Sequence, residues 1–328
     1  MNDALQRKQE IDRQIQQLLQ EKMKLNESLL YEEESTDDLR QMLQHAIEHT
    51  AKAFPERATV ACQGVEGAYS EAAARKLFKE PGILYFKDFN NIFDAIESGL
   101  CEYGILPIEN STVGSVNKTY DLLMEHRCYI VRSVRLKINH SLMALPGTKA
   151  ENIMEIYSHQ QAFDQSEKTL RTKFKNTRLT ICSNTAEAAK KVSEAQAGNK
   201  AAICSPNCAA LYGLETVATD IQDNSYNYTR FICFTKKPMI YEGADKTSFL
   251  AVLPNKPGSL YEVLKKFNDV GYNLIKLESR PIPETEFQFM FYFDFEASIY
   301  HNRFIDTLCE LDDCCEHMEY LGSYNEKI

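Results

Sequence analysis

The stretch Pro107 to Val116 reads Pro-Ile-Glu-Asn-Ser-Thr-Val-Gly-Ser-Val. It gathers one carboxylate (Glu109), one carboxamide (Asn110), three hydroxyls (Ser111, Thr112, Ser115) and a flexible Gly114. It follows an apolar run, Tyr103 to Leu106, that reads as a buried strand, and it precedes Asn117 to Glu125, whose apolar residues recur at helical spacing. The expectation is a strand-to-helix turn, where unpaired N–H groups and the positive end of the helix dipole suit a bound anion. Ordinary helix caps use the same residue types, so both readings stay open on these residues alone. A second constellation is Asn224 to Phe231, Asn-Ser-Tyr-Asn-Tyr-Thr-Arg-Phe, between a strand-like Thr216 to Ala218 and an apolar Phe231 to Phe234. Aromatics beside Asn, Thr and Arg suit a pocket wall with a few directed polar groups. They equally suit a hydrogen-bonded turn in which Arg230 pairs with a nearby carboxylate.

These groups need elements to position them. From Arg57 the chain alternates strand-like and helix-like segments. Arg57 to Cys62 leads through a glycine-bearing turn, Gln63 to Ser70, to a helix at Glu71 to Lys79 that Ser70 is placed to cap. Ile83 to Phe89 and Asn90 to Ser98 repeat the unit. After two more strand-like runs, Cys128 to Ile138 and His140 to Leu145, the pattern returns. Ser158-His159, Ser183-Asn184-Thr185 and Ser205-Pro206 each follow a short apolar run and open a helical stretch. Alternation of this kind implies a largely parallel sheet covered by helices, and its recurrence on both sides of residue 140 implies two α/β lobes facing a shared cleft. Gln161 and Gln165, one helical turn apart, both reach one face.

The ends differ from this middle. In the first fifty residues Leu5, Ile11, Ile15, Leu18, Leu25 and Leu29 mark an amphipathic helix, Glu32 to Asp38 interrupts it, and Leu39 to Ala53 resumes a helical pattern. Such helices must pair with each other, with the body or with another subunit. After a Lys236 to Asp245 linker, six segments read strand, helix, strand, strand, helix, strand: Thr247 to Leu253, Gly258 to Val270, Tyr272 to Ile282, Phe287 to Phe295, Ser298 to Leu311 and Met318 to Ser323. That is the order of a ferredoxin-like split βαβ.

Composition bounds the function. A chain of 328 residues with 44% hydrophobic content supports two or three cores. A net charge of −10 with no basic block argues against a nucleic-acid partner, so an anionic ligand needs a local site. No apolar leader and no 18-residue apolar run is present, and a cytoplasmic protein with no membrane partner is expected. The ten cysteines lack paired metal-ligand spacing and read as reduced thiols, so no metal or cofactor is called for.

Five ordered motifs between about Arg57 and Lys236 resemble the prephenate dehydratase family of the two-lobe type with an appended regulatory domain. They are Gly64-Val65-Glu66-Gly67-Ala68-Tyr69-Ser70, Pro107-Ile108-Glu109-Asn110-Ser111, Ser158-His159-Gln160-Gln161-Ala162 with Gln165, Ala201-Ala202-Ile203, and Asn227-Tyr228-Thr229-Arg230-Phe231. Gln160 and Ser166 depart from the family's usual Pro and Cys. The resemblance implies residues 55–236 as a two-lobe, periplasmic-binding-protein-like catalytic region. It implies conversion of prephenate to phenylpyruvate with loss of carbon dioxide and water, with Thr229 acting at the departing hydroxyl. A threonine hydroxyl is a poor acid, so it stabilises the leaving oxygen or relays a proton, and Glu109 or His159 are the alternative acids. Asn110 and Gln165 are read as orienting groups. Ser70, Ser111, Thr112, Ser158, His159, Gln161, Ser205, Arg230 and Phe231 are read as substrate contacts.

Lys256-Pro257-Gly258-Ser259-Leu260, Asn273-Leu274 and Glu278-Ser279-Arg280-Pro281 resemble the amino-acid-binding ACT domain, giving residues 245–328 as a ferredoxin-like βαββαβ regulatory domain. The resemblance implies phenylalanine as a feedback effector at Pro257, Gly258, Ser259, Leu260, Asn273, Glu278, Ser279 and Arg280, and a homodimer or dimer of dimers, with Glu278 and Arg280 better suited to fixing the subunit interface than to touching the ligand. Ile11-Asp12, Leu18-Leu19 and Lys22 resemble the first helix of the small helical chorismate mutases. Leu5 and Lys22 stand where that family places arginines, which makes residues 1–54 a remnant or dimerisation arm. The alternatives are an arogenate dehydratase and a non-catalytic two-lobe sensor.

Overall fold

The computed structural model describes residues 2–30, 38–282 and 288–328. The interruption expected at Glu32 to Asp38 lies outside the described residues up to Asp37, as does Phe287, and so do the side chains of Leu5, Asp12 and Leu29. The apolar spacing of the N-terminal segment yields a helix, Asn2–Leu30, but Ile11, Ile15, Leu18, Leu19 and Leu25 stay exposed. Lys22 touches the body, donating to Thr59 Oγ1 at 2.7 Å. The second helix, Leu39–Glu48, is capped by Asp38 on the Arg40 N–H and buries Leu43 and Ala46 against the C-terminal core. It stops short of the expected Ala53 because the backbone of Ala51 is taken up by Ile240 and Glu242.

Two sheets form the central lobes. The first runs, in spatial order, Glu326–Lys327, Tyr129–Lys137, Tyr228–Thr235, Tyr103–Asn110, Arg57–Gln63 and Glu80–Phe86, with Gly114–Ser115 paired to Tyr103–Asn110. The second runs Glu215–Ala218, Ser141–Ala144, Lys200–Cys204, Glu155–Ser158 and Arg178–Ile181. Both are mixed rather than largely parallel. The chain leaves the first lobe after Tyr129–Lys137 and returns along Tyr228–Thr235, so the returning strand runs antiparallel to both neighbours. The two crossing segments hold each other, Ile138 N–H to Asn227 O at 2.8 Å and Ile221 N–H to His140 O at 3.0 Å.

Beside the cleft, two strand boundaries differ from the sequence reading. The strand expected to end at Leu106 continues to Asn110, and the one expected from Phe231 begins at Tyr228. Pro107, which cannot donate, is accommodated by a register shift between Arg230 and Phe231. Ser70 does not cap a helix; it lies inside Tyr69–Leu77, whose first residue follows Ala68.

The last region is a four-stranded antiparallel sheet in the order Asn273–Pro281, Phe289–Glu296, Lys246–Val252, His317–Tyr324. Helices Ser259–Val270 and Phe304–Asp312 share the core of Phe249, Phe267, Phe293 and Phe295. Leu250 and Tyr292 instead join Leu106, Ile108, Tyr120 and Ile232 in a core shared with the first lobe. Gly322 makes this docking possible: at its φ of 132° a Cβ would stand 2.2 Å from Ile130 O. Beyond Tyr324 the chain adds Glu326–Lys327 as a parallel strand to the first lobe's own sheet.

Candidate active site

The lobes enclose a cavity of about 860 Å³ where the crossing segments meet. Tyr69, Ser70 and Lys87 line it from the first lobe, His159, Gln161, Gln165 and Asn184 from the second, and Asn110, His140, Thr229 and Phe231 from the central strands and the crossing. Thr229 pairs in register with Asn110, and Arg230 with Glu109. Since neighbouring residues of a strand point to opposite faces, Thr229 and Asn110 reach the cleft while Arg230 and Glu109 turn away from it.

The hydrogen bonds around Asn110 fix its orientation. Its Oδ1 accepts from the Thr112 N–H (2.9 Å), the Thr112 hydroxyl (2.6 Å) and the Val113 N–H (3.1 Å). Backbone N–H groups only donate, so this atom is the oxygen, and Nδ2 donates to Thr229 Oγ1 at 2.9 Å and Asn227 Oδ1 at 2.8 Å. The Thr229 oxygen is thereby occupied as an acceptor, and among the described residues no acceptor takes its own proton. Thr229 is 8% exposed and lines the cavity, so that proton is available to a bound molecule.

Gln165 ties the second lobe into this network. Its Oε1 accepts from Asn227 Nδ2 at 3.0 Å and its Nε2 donates to Thr112 Oγ1 at 3.2 Å. His140 Nε2 lies 2.9 Å from the same Oε1 and must donate to it, leaving Nδ1 as a buried acceptor with no partner among the described residues. Burial lowers the His140 pKa, with the Gln165 hydrogen bond opposing, so the ring is neutral near pH 7. His159 caps the helix Gln160–Asp164, its Nδ1 accepting from the Gln161 N–H at 3.3 Å, and burial lowers its pKa too, against the pull of Asp164.

Other residues singled out from the sequence are engaged elsewhere. Ser111 donates to Tyr226 O and accepts from the Tyr228 N–H, the Thr112 hydroxyl serves Asn110 and Gln165, and the fully buried Ser158 donates to Ile203 O. Ser205 accepts from the Asn207 N–H and caps its own turn. These four hydroxyls hold protein groups and are absent from the cavity lining. Arg230, 5% exposed, pairs with Asp294 at 2.5 Å. Glu109 lies 4.0 Å from Arg230 Nε and 3.5 Å from Lys276. Neither lines the cavity. Placing both in the cleft followed from reading a turn where the strand continues.

In the C-terminal region, Glu278 accepts from Ser115 and pairs with Lys276, and Arg280 grips Asp121 at 2.8 and 3.1 Å. These side chains fasten the edge strand to the first lobe of the same chain; Ser279 on the same strand is exposed. Pro257, Gly258, Ser259 and Leu260 open the helix that follows the Val252 end of its strand, whereas Asn273 pairs with Glu296 at the Lys246 end and donates to its carboxylate at 2.9 Å. One chain does not bring these two groups together.

The sequence reading quoted Tyr69 and Asn227 within motifs without giving either a role, and missed His140, Lys87 and Lys118; all five lie in or beside the cleft. The polar pair Asn139-His140 between two apolar strands was a usable signal. Nothing local distinguished Lys87 or Lys118.

Residues 60–239 match the prephenate dehydratase family. Arogenate dehydratase 2 of Petunia hybrida is 39% identical over 285 residues, 82% of this chain and 72% of that protein. Arogenate dehydratase/prephenate dehydratase 2, chloroplastic, of Arabidopsis thaliana is 38% identical over 280 residues, 82% of this chain and 73% of that protein. The crystal structure of prephenate dehydratase from Arthrobacter aurescens in complex with L-Phe superposes with a TM-score of 0.75 at 31% identity, covering 81% of this chain and 89% of that one. With its two lobes, the cleft between them and this similarity across most of its length, the chain belongs to the prephenate dehydratase family of lyases.

Proposed function

We propose that the cleft converts prephenate to phenylpyruvate with Thr229 as hydrogen-bond donor to the departing ring oxygen. The carboxylate carbon–ring bond breaks and carbon dioxide is released, the bond's electron pair enters the ring, the ring becomes aromatic and the hydroxyl leaves, taking one proton from solvent to become water. Charge grows on that oxygen in the transition state, and a donor fixed beforehand stabilises it without reorganising. The observation that supports Thr229 is its bond from Asn110, which occupies the oxygen and leaves the proton free. His140 and His159, neutral by burial, are poor acids, and Glu109 faces the other way. Gln165 and Asn227 orient Asn110 and Thr112. Lys87 and Lys118 on the cavity wall supply cations for a dianion in an acidic protein, and Ser70, Gln161 and Phe231 complete the wall.

Asp88 also lines the cavity and favours a second reading, arogenate, whose ammonium would pair with it. Purified full-length protein assayed with each substrate separates these. The first reading expects phenylpyruvate from prephenate with the higher kcat/KM; a higher value for arogenate selects the second. Folded protein inactive on both would leave a two-lobe sensor.

The C-terminal module acts as an ACT-type regulatory domain that takes phenylalanine, with the turn at Pro257 to Leu260 from one subunit and Asn273 from another, in a homodimer or dimer of dimers. The separation of those groups within one chain supports a shared site. Among the described residues no helix is long and apolar enough to cross a membrane. Ten free thiols fit a reducing compartment such as the cytoplasm. Titrating phenylalanine into the assay should inhibit, and Asn273→Ala should raise the concentration required; unchanged inhibition would remove Asn273 from the site.

A further inference from the structure

Thr229 and Arg230 are consecutive on one strand, so what anchors Arg230 on the far face also sets where Thr229 sits in the cleft. The anchor comes from the C-terminal sheet. Asp294 is fully buried; its Oδ2 accepts from Arg230 Nη2, and its Oδ1 accepts from the Ser248 and Tyr324 hydroxyls, each at 3.2 Å. Arg230 Nε is buried with no hydrogen-bond partner among the described residues, and Glu109 stands 4.0 Å away, shared with Lys276 of the same C-terminal sheet. Arg230 thus lies between two carboxylates, one from the C-terminal sheet and one from the residue beside Asn110.

We propose that Asp294 is a positioning residue for the dehydratase reaction, holding Arg230 and, through their common strand, the Thr229 hydroxyl against Asn110. The proposal rests on the reading of Thr229 as the donor. Without the Asp294 charge, the buried guanidinium is left with Glu109 as its nearest counter-charge. Closing that gap draws Glu109 from Lys276 and shifts the Glu109–Arg230 pair of the ladder. The Thr229–Asn110 pair, next in the same ladder, shifts with it. Because the cavity wall is otherwise untouched, the loss falls on the chemical step and not on substrate binding.

The test is a double-mutant cycle on the full chain, with kcat and KM for prephenate measured for Asp294→Asn, Thr229→Ala and the pair. The expected result is a kcat lower by about tenfold for Asp294→Asn with KM changed less than about twofold, and a factor near one for the same change in the Thr229→Ala background. The same factor in both backgrounds would mean that Asp294 acts on stability alone and would overturn the proposal while leaving the Thr229 reading intact. A Thr229→Ala enzyme with unchanged kcat would sink both. If Asp294→Asn does not fold, Tyr324→Phe removes one hydroxyl donor from Asp294 while keeping the ion pair. Its kcat should fall about two- to fivefold, again only when Thr229 is present, and an equal fall in both backgrounds would reject the role.

Discussion

At the scale of single residues, the proposed chemistry rests on which oxygen accepts and which proton is left over. Asn110→Asp tests this without changing shape: the carboxylate cannot donate to Thr229 and would instead accept its proton, withdrawing it from the substrate. The expected loss in kcat is about 10²–10³, the usual effect of removing one such donor, with a raised KM from repulsion of a dianion. A near-wild-type kcat would contradict the arrangement. His140 gives a pH signature. Its folded pKa lies below the unfolded value of about 6.5, so the native ring stays neutral while the unfolded one takes up a proton as pH falls. The contribution is present above about pH 6.5 and is lost as pH falls through that value toward the folded pKa. Melting temperature followed from pH 8 to pH 5 should therefore fall less in His140→Gln than in the wild type, and equal slopes would deny that burial holds His140 neutral. Thr229, Asn110 and Gln165 were legible as side chains in ordered motifs. The outward turn of Glu109 and Arg230 was not, because facing depends on where a strand ends, and that is set by a pairing partner distant in sequence.

At the scale of elements, hydrophobic periodicity located the helices and strands of both lobes and the order of the C-terminal segments. It did not reveal that the returning strand, Tyr228–Thr235, would run antiparallel between two neighbours, since direction within a sheet follows from the path of the chain and leaves no mark in an apolar run. Nor did it show that the charged side chains of Asn273–Pro281, Lys276, Glu278 and Arg280, would fasten that strand to the first lobe. Gly322 is the element-scale test. Gly322→Ala adds a Cβ 2.2 Å from Ile130 O at a positive φ, so the last strand must pull away from Tyr129–Lys137. Overpacking of this kind typically costs about 1–3 kcal/mol, which denaturant unfolding would read as a lower midpoint. An unchanged midpoint would show that the docking is looser than the structure describes.

At the scale of the molecule, the C-terminal sheet is more than an appendage. It supplies the Arg230 counter-charge, covers Leu106 and Ile232 with Leu250 and Tyr292, and extends the first lobe's sheet with Glu326–Lys327. Removing residues 245–328 would strip the Arg230 guanidinium of its Asp294 counter-charge and bare the apolar face that Leu250 and Tyr292 cover. The expected product is inactive or aggregated, and a stable, fully active truncation would contradict this dependence. The most direct test of the central claim is the steady-state comparison of the full-length wild type with Thr229→Ala and Thr229→Ser on prephenate. The hydroxyl reading predicts that Thr229→Ala lowers kcat by about 10²–10³ with KM little changed, while Thr229→Ser keeps most of the activity. A Thr229→Ala enzyme that changes KM alone, or that matches Thr229→Ser, would contradict it.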